Sequence, residues 1–163
     1  DPRIRFAALV HGLGDTDPIP LNPLSNHPTP HPRFLLRALC DRLRVPKRYR
    51  QLATMVVNGV GPMSQLKDLA PHHILSLLQS MDAFRKPNQV SDFICACRAA
   101  LLAHDHSDEE VASTCELLQR CFEAARNIEV SDLSTNDCSG EEIRAVVARR
   151  RVDAIALALQ CHA

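Results

Sequence analysis

The chain has 163 residues, 45% of them hydrophobic but only 4% aromatic, with no Trp and five Gly. A length of one ordinary domain buries a core without metals or disulfides, few aromatic residues favour helices over a strand-built sandwich, and no apolar run approaches the about 20 residues of a membrane span. The formal net charge of zero conceals an asymmetry, because residues 1–86 carry 12 Lys+Arg against 6 Asp+Glu and the remainder carries 7 against 13.

Asp1-Pro2 is a helix start, an N-cap followed by proline in the first turn. Ile4, Ala7, Ala8 and Val10 supply its apolar face, and the helix should end near His11, before Gly12 and Gly14. Six of the eleven prolines then fall between Gly12 and Pro32, so neither helical nor strand periodicity persists and a long irregular loop is expected. Phe34, Leu35, Leu36, Leu39, Cys40 and Leu43 recur at helical spacing, which predicts a second helix from about Pro32 to Leu43, stopped by Val45-Pro46. A third helix is predicted from Lys47 to Val57, with Gly59, Gly61 and Pro62 ending it, and Leu66 belongs to a short connecting turn.

Pro71 opens a helix whose buried members should be Ile74, Leu75, Leu77, Leu78 and Met81, and Pro87-Asn88 separates it from a helix over Val90 to His104 carrying Phe93, Ile94, Cys97 and Leu101. Ser107 or Asp108 caps the next, which runs through Ala125 with Val111, Cys115, Leu118 and Phe122 as its core stripe. Glu109 and Glu110 lie near its positive end. Ile128 to Cys138 has no clear period, and Ser139-Gly140-Glu141-Glu142 opens a last helix with Val146, Val147, Ile155 and Leu159. The expectation is an all-α bundle of seven or eight helices. The seven cysteines are odd in number, and Cys95 and Cys97 lack the two-residue gap of a zinc or redox pair. They read as small buried hydrophobes, free thiols of a reducing, cytoplasmic compartment.

The densest functional signal is Arg33, Arg37, Arg42, Arg44, Lys47, Arg48 and Arg50, opposed within that stretch only by Asp41. Such density suits phosphate contacts, in which counterion release supplies sequence-independent affinity. Scarce aromatic residues argue against single-strand base recognition and for the backbone of a folded RNA. Arg149, Arg150 and Arg151 form a second cluster; consecutive helical residues face different ways, and at least one should pair with Glu141, Glu142 or Asp153. Ordinary solvated helix surface is the plain alternative for both, as a structural turn is for Arg85-Lys86. His72-His73 and His104-Asp105-His106 resemble metal clusters in composition, but adjacent helical residues point about 100° apart, and surface histidines are the simpler reading. Phosphate-loop and Gly-x-Ser-x-Gly motifs are absent.

Arg5 to Asp15, Leu43-Arg44-Val45-Pro46, Met81 to Pro87, Ala96-Cys97, and Gly140-Glu141-Glu142-Ile143 leading to Arg149-Arg150-Arg151 occur in an order and spacing that resembles the C-terminal half of the bacterial multifunctional tRNA nucleotidyltransferases, the CCA-adding enzymes. The resemblance implies an HD-domain-like bundle at residues 1–126 followed by a C-terminal tail over 127–163. HD members hold a divalent metal with His and Asp side chains; here Gly12, Val60-Gly61 and Ala100 stand at the ligand positions, only His11 remains, and Ser25-Asn26-His27-Pro28 replaces a histidine cluster. A degenerate HD motif with no catalytic residue, no metal and no cofactor of its own is therefore expected. Magnesium is implied for a nucleotidyltransferase head expected before Asp1, and tRNA and that head are the implied partners, with a homodimer as a further option. Two other readings stand beside this one. The first is a metal-dependent phosphatase or 2′,3′-cyclic phosphodiesterase with ligands drawn from His11, His27, His31 and His104-Asp105. The second is a degenerate module for protein contact or dimerisation.

Overall fold

In the computed structural model residues 1–13, 32–103, 106–128 and 140–160 are described, and among them the chain is all-helical. The proline-rich stretch with His27 and His31, the His104-Asp105 pair, Cys138 and Cys161 lie outside the described residues. Seven α-helices follow in order: α1 (Pro2–Val10), α2 (Pro32–Arg42), α3 (Lys47–Ser64), α4 (Pro71–Ser80), α5 (Asn88–Leu102), α6 (Asp108–Arg126) and α7 (Gly140–Gln160), with a 3-10 turn at Leu66–Asp68. No described helix is long and apolar enough to cross a membrane.

Local chemistry accounts for most boundaries. The Asp1 carboxylate accepts from the Arg3 backbone N–H at 2.8 Å and caps α1, while the Arg3 guanidinium reaches Asp92 of α5 at 3.2 Å. Ser107 and Glu110 form a reciprocal capping box at α6, each bond 3.2 Å long. At the end of α4, Asp82 is left-handed (φ 55°), with its N–H donating to the Gln79 carbonyl and that of Ala83 to the Leu78 carbonyl, a Schellman motif with Asp in glycine's usual place. The Asp82 carboxylate then accepts from Arg85 at 2.6 and 2.8 Å and pairs with Lys86 at 3.4 Å. Arg85 and Lys86 thus build the turn before Pro87. These bonds hold the Asp82 carboxyl below its ordinary range, and the Ser107 bonds do the same for Glu110. Both contributions to stability are complete above the ordinary carboxylate range and are lost as the pH falls through the lowered values.

The core centres on α3, α5 and α6, with Met63, Ile74, Leu78, Val90, Phe93, Leu117, Leu118 and Ile155 fully or nearly fully buried in one cluster. Burial of each such side chain contributes about 1.5–3 kcal/mol. Helix α1 lies against α3 and α5, and α7 against α6 and α4. The inward stripe of α7 recurs every four residues, with Val147 and Ile155 buried and Arg151 and Leu159 half-buried. Arg151 takes part because its guanidinium lies 3.7 Å from the centroid of the Phe84 ring, itself 6.2 Å from that of Phe122. Of the arginine triplet, Arg149 and Arg150 are exposed, and Arg151 is held by an aromatic face. Its Nε has no hydrogen-bond partner, and burial lowers its pKa.

Three expectations are corrected. Helix α3 does not stop at Gly59 but continues through Gly61 and Pro62 to Ser64. Gly59 is buried where α3 meets Phe93 of α5, and the space a side chain would take is filled by that ring, so the glycine permits close packing and does not break the helix. Pro62 falls in the last turn, where only the Asn58 carbonyl loses its N–H partner. Second, Phe34, Leu43 and Val146 are exposed, and on α2 only Leu36 and Cys40 are buried. Third, Cys95 is exposed, whereas Cys40, Cys97, Cys115 and Cys121 are buried free thiols. Burial pushes these four thiols up, Cys121 to about 11, so they act as small apolar fillers at neutral pH.

A β-carbon at Gly59 would sit 2.7 Å from Cε2 and Cζ of Phe93, whereas one at Gly61 would meet nothing within 4 Å beyond its chain neighbours and its own helix backbone. Gly59→Ala should lower unfolding stability by about 1–3 kcal/mol, and Gly61→Ala, opposed only by the ring of the following Pro62, should lower it less. Urea unfolding of the two variants beside the native chain measures both costs.

Candidate nucleic-acid interface

Helix α2 packs on α3 through the Leu36 and Cys40 stripe, which leaves most of its circumference open. It ends in a second Schellman motif: the Val45 N–H donates to the Cys40 carbonyl at 2.9 Å and the Arg44 N–H to the Asp41 carbonyl at 3.2 Å. Arg44 is therefore left-handed, with φ 51°. A cationic residue in glycine's usual place carries a conformational cost and projects its side chain from the tip of the α2–α3 corner.

Arg50, one turn into α3, reaches back across that corner. Its Nε–H donates to the Val45 carbonyl at 2.8 Å, its Nη2 to the Cys40 carbonyl at 2.9 Å, and its Nη1 pairs with Asp41. Arg37 lies 3.9 Å from the same carboxylate, and side-chain exposures of 80% and 56% make that pair weak. Asp41, the only acid of the stretch, is thus engaged by Arg50. The Arg50 guanidinium, one of the cations that the sequence suggests for phosphate contact, closes the corner.

Arg42, Arg44, Lys47 and Arg48 are exposed and form no ion pair among the described residues; Arg33 is also exposed. Arg42 ends α2, where a cation complements the negative end of the helix dipole. Lys47 and Arg48 lie in the first turn of α3, at its positive end, with no acidic residue in that turn and with Pro46 as an N-cap that has no polar side chain. The backbone and side chains therefore add field of one sign at this point, which suits an anion.

Between α2 and α3 a cleft of about 490 Å³ is lined by Arg33, Phe34, Leu36, Arg37, Cys40, Arg50 and Thr54. The exposure of Phe34, at 68%, was missed from the sequence. Helical geometry contains the signal, since Leu36 lies two positions after Phe34 and the rotation of about 200° puts them on different faces.

Arg149 and Arg150 are exposed on α7, which packs on α6 and α4, so they do not share a helix pair with the α2–α3 cluster. His11 terminates α1, and its Nδ1–H donates to the Ala8 carbonyl at 2.5 Å. His72 and His73 are exposed in the first turn of α4 with ring centroids 4.0 Å apart, closer than their angular separation on the helix led us to expect. Among the described residues no three His, Cys, Asp or Glu side chains come together to hold a metal ion.

Fold and site together define an all-helical domain with a cation-rich helix corner. The chain is 33% identical over 156 residues to a multifunctional CCA protein of Thioalkalivibrio sulfidiphilus, an overlap of 95% of this chain and 38% of the relative. It is 30% identical over 161 residues to a multifunctional CCA protein of Vibrio campbellii, covering 96% of this chain and 39% of that protein. The chain is thus related, over nearly all its length, to a region of the multifunctional CCA proteins, and it spans about two-fifths of the length of these curated relatives. No protein-family model matches it. No solved structure matches it.

Replacing Arg44 by Gly removes the left-handed strain while keeping the Schellman bonds. The variant should be more stable by about 1 kcal/mol, read as a higher urea midpoint at unchanged slope. A less stable variant would show that the Arg44 side chain contributes more to the fold than its strain costs.

Proposed function

We propose that this chain is the C-terminal body and tail of a tRNA nucleotidyltransferase of the CCA-adding kind, holding tRNA through phosphate contacts at the α2–α3 corner. In this reading nucleotide addition and its magnesium belong to a head domain, and this region supplies grip. The observation that carries it is the group of Arg42, Arg44, Lys47 and Arg48, four exposed cations without an ion pair among the described residues, gathered around a strained Arg44 and the uncapped start of α3. The relatedness to multifunctional CCA proteins supports the identity of the partner. Arg149 and Arg150 on α7 are a second, separate contact in the same reading.

The same reading treats the HD motif as degenerate. A divalent ion needs several N and O donors converging with room for water, and among the described residues no such set comes together. Gly12, Gly61, Val60 and Ala100 carry no side-chain ligand atom, and His11, with its Nδ1–H on the Ala8 carbonyl, offers a single imidazole nitrogen.

The salt dependence of tRNA binding tests the assignment. Each lost phosphate contact should reduce the slope of log affinity against log salt by about one. Arg42→Ala, Arg44→Ala and Arg48→Ala combined should flatten it by about three in filter binding while thermal unfolding stays near that of the native chain. An unchanged slope would remove this corner from the RNA-binding surface.

A further inference from the structure

We infer that the cleft between α2 and α3 receives one unpaired base of the bound RNA, stacked on Phe34, with its flanking phosphates on Arg33 and Arg37. The inference rests on the tRNA reading and adds to it a contact that reads RNA shape. Among the described residues Phe34 is the only Phe or Tyr ring left exposed; the other large exposed side chains are aliphatic. It lines a cleft of about 490 Å³ together with the buried apolar Leu36 and Cys40, the cations Arg33, Arg37 and Arg50, and Thr54. An apolar lining with guanidinium groups complements a flat aromatic ring joined to an anionic backbone and disfavours a wholly apolar partner. The helical rise puts Phe34 about 12 Å along α2 from Arg42, so one strand can lay a base in the cleft and its next phosphates at the corner. Paired bases of an A-form helix hide their faces, and only an extruded or unpaired base presents one.

Two RNA hairpins of equal length test this with the full chain, one fully paired and one carrying a single unpaired purine in its stem. The native chain should bind the bulged hairpin about tenfold more tightly. Phe34→Ala should abolish the preference without changing affinity or salt slope for the paired hairpin, and Phe34→Trp should retain it. Equal binding of both hairpins with a steep salt slope would overturn the stacking contact and leave the basic corner standing. Binding of neither would overturn the tRNA reading together with this one. Sedimentation as a dimer that Phe34→Ala converts to monomer would also overturn the inference, by assigning the ring to contact between copies of the chain.

Discussion

The Arg50 guanidinium ties the end of α2 to the start of α3, donating to the Val45 and Cys40 carbonyls at 2.8 and 2.9 Å and pairing with Asp41. Three neighbouring groups with fixed directions are met by one planar donor set, which a lysine ammonium could not match. Two consequences follow. The carbonyl end of α2 gains charge-assisted partners, and the only acid of the basic stretch is neutralised within the corner. Arg42, Arg44, Lys47 and Arg48 then face outward from a rigid turn.

That arrangement has a cost in the isolated chain. Arg44 is left-handed, and Lys47 and Arg48 lie at the positive end of α3 with no acidic residue in its first turn. Contrast α6, whose first turn holds Asp108, Glu109 and Glu110 behind a complete capping box. One helix start is arranged for the stability of the chain alone; the other has unfavourable local electrostatics that a bound anion would relieve. Local rules broken at one place and kept elsewhere are what a functional surface imposes on a fold.

Local signals made much of the architecture legible. The proline start of α4, the Ser107 cap of α6 and the stripe of Val111, Cys115, Leu118 and Phe122 are each set by residues within a few turns of one another. The errors share a different origin. Gly59 reads as a helix breaker until Phe93, thirty-four positions away, is seen to occupy its missing side-chain space. Arg151 reads as one more charge of a triplet until α7 lays it over Phe84. Arg50 counts as one more free cation until three acceptors converge on it from the preceding helix and turn. Charge density is a property of composition and survives unaltered from sequence to structure; the division of those charges between corner-building and outward-facing roles is tertiary.

The central claim is that the outward-facing cations of the α2–α3 corner form the face that meets tRNA. Titrating ¹⁵N-labelled chain with tRNA and following the backbone amides tests it most directly. The first and largest shifts should fall on residues 33–48, with the amides of Arg44, Lys47 and Arg48 foremost, and added salt should reverse them. Early shifts confined to α4, α5 and α6, with the α2–α3 corner silent, would contradict it.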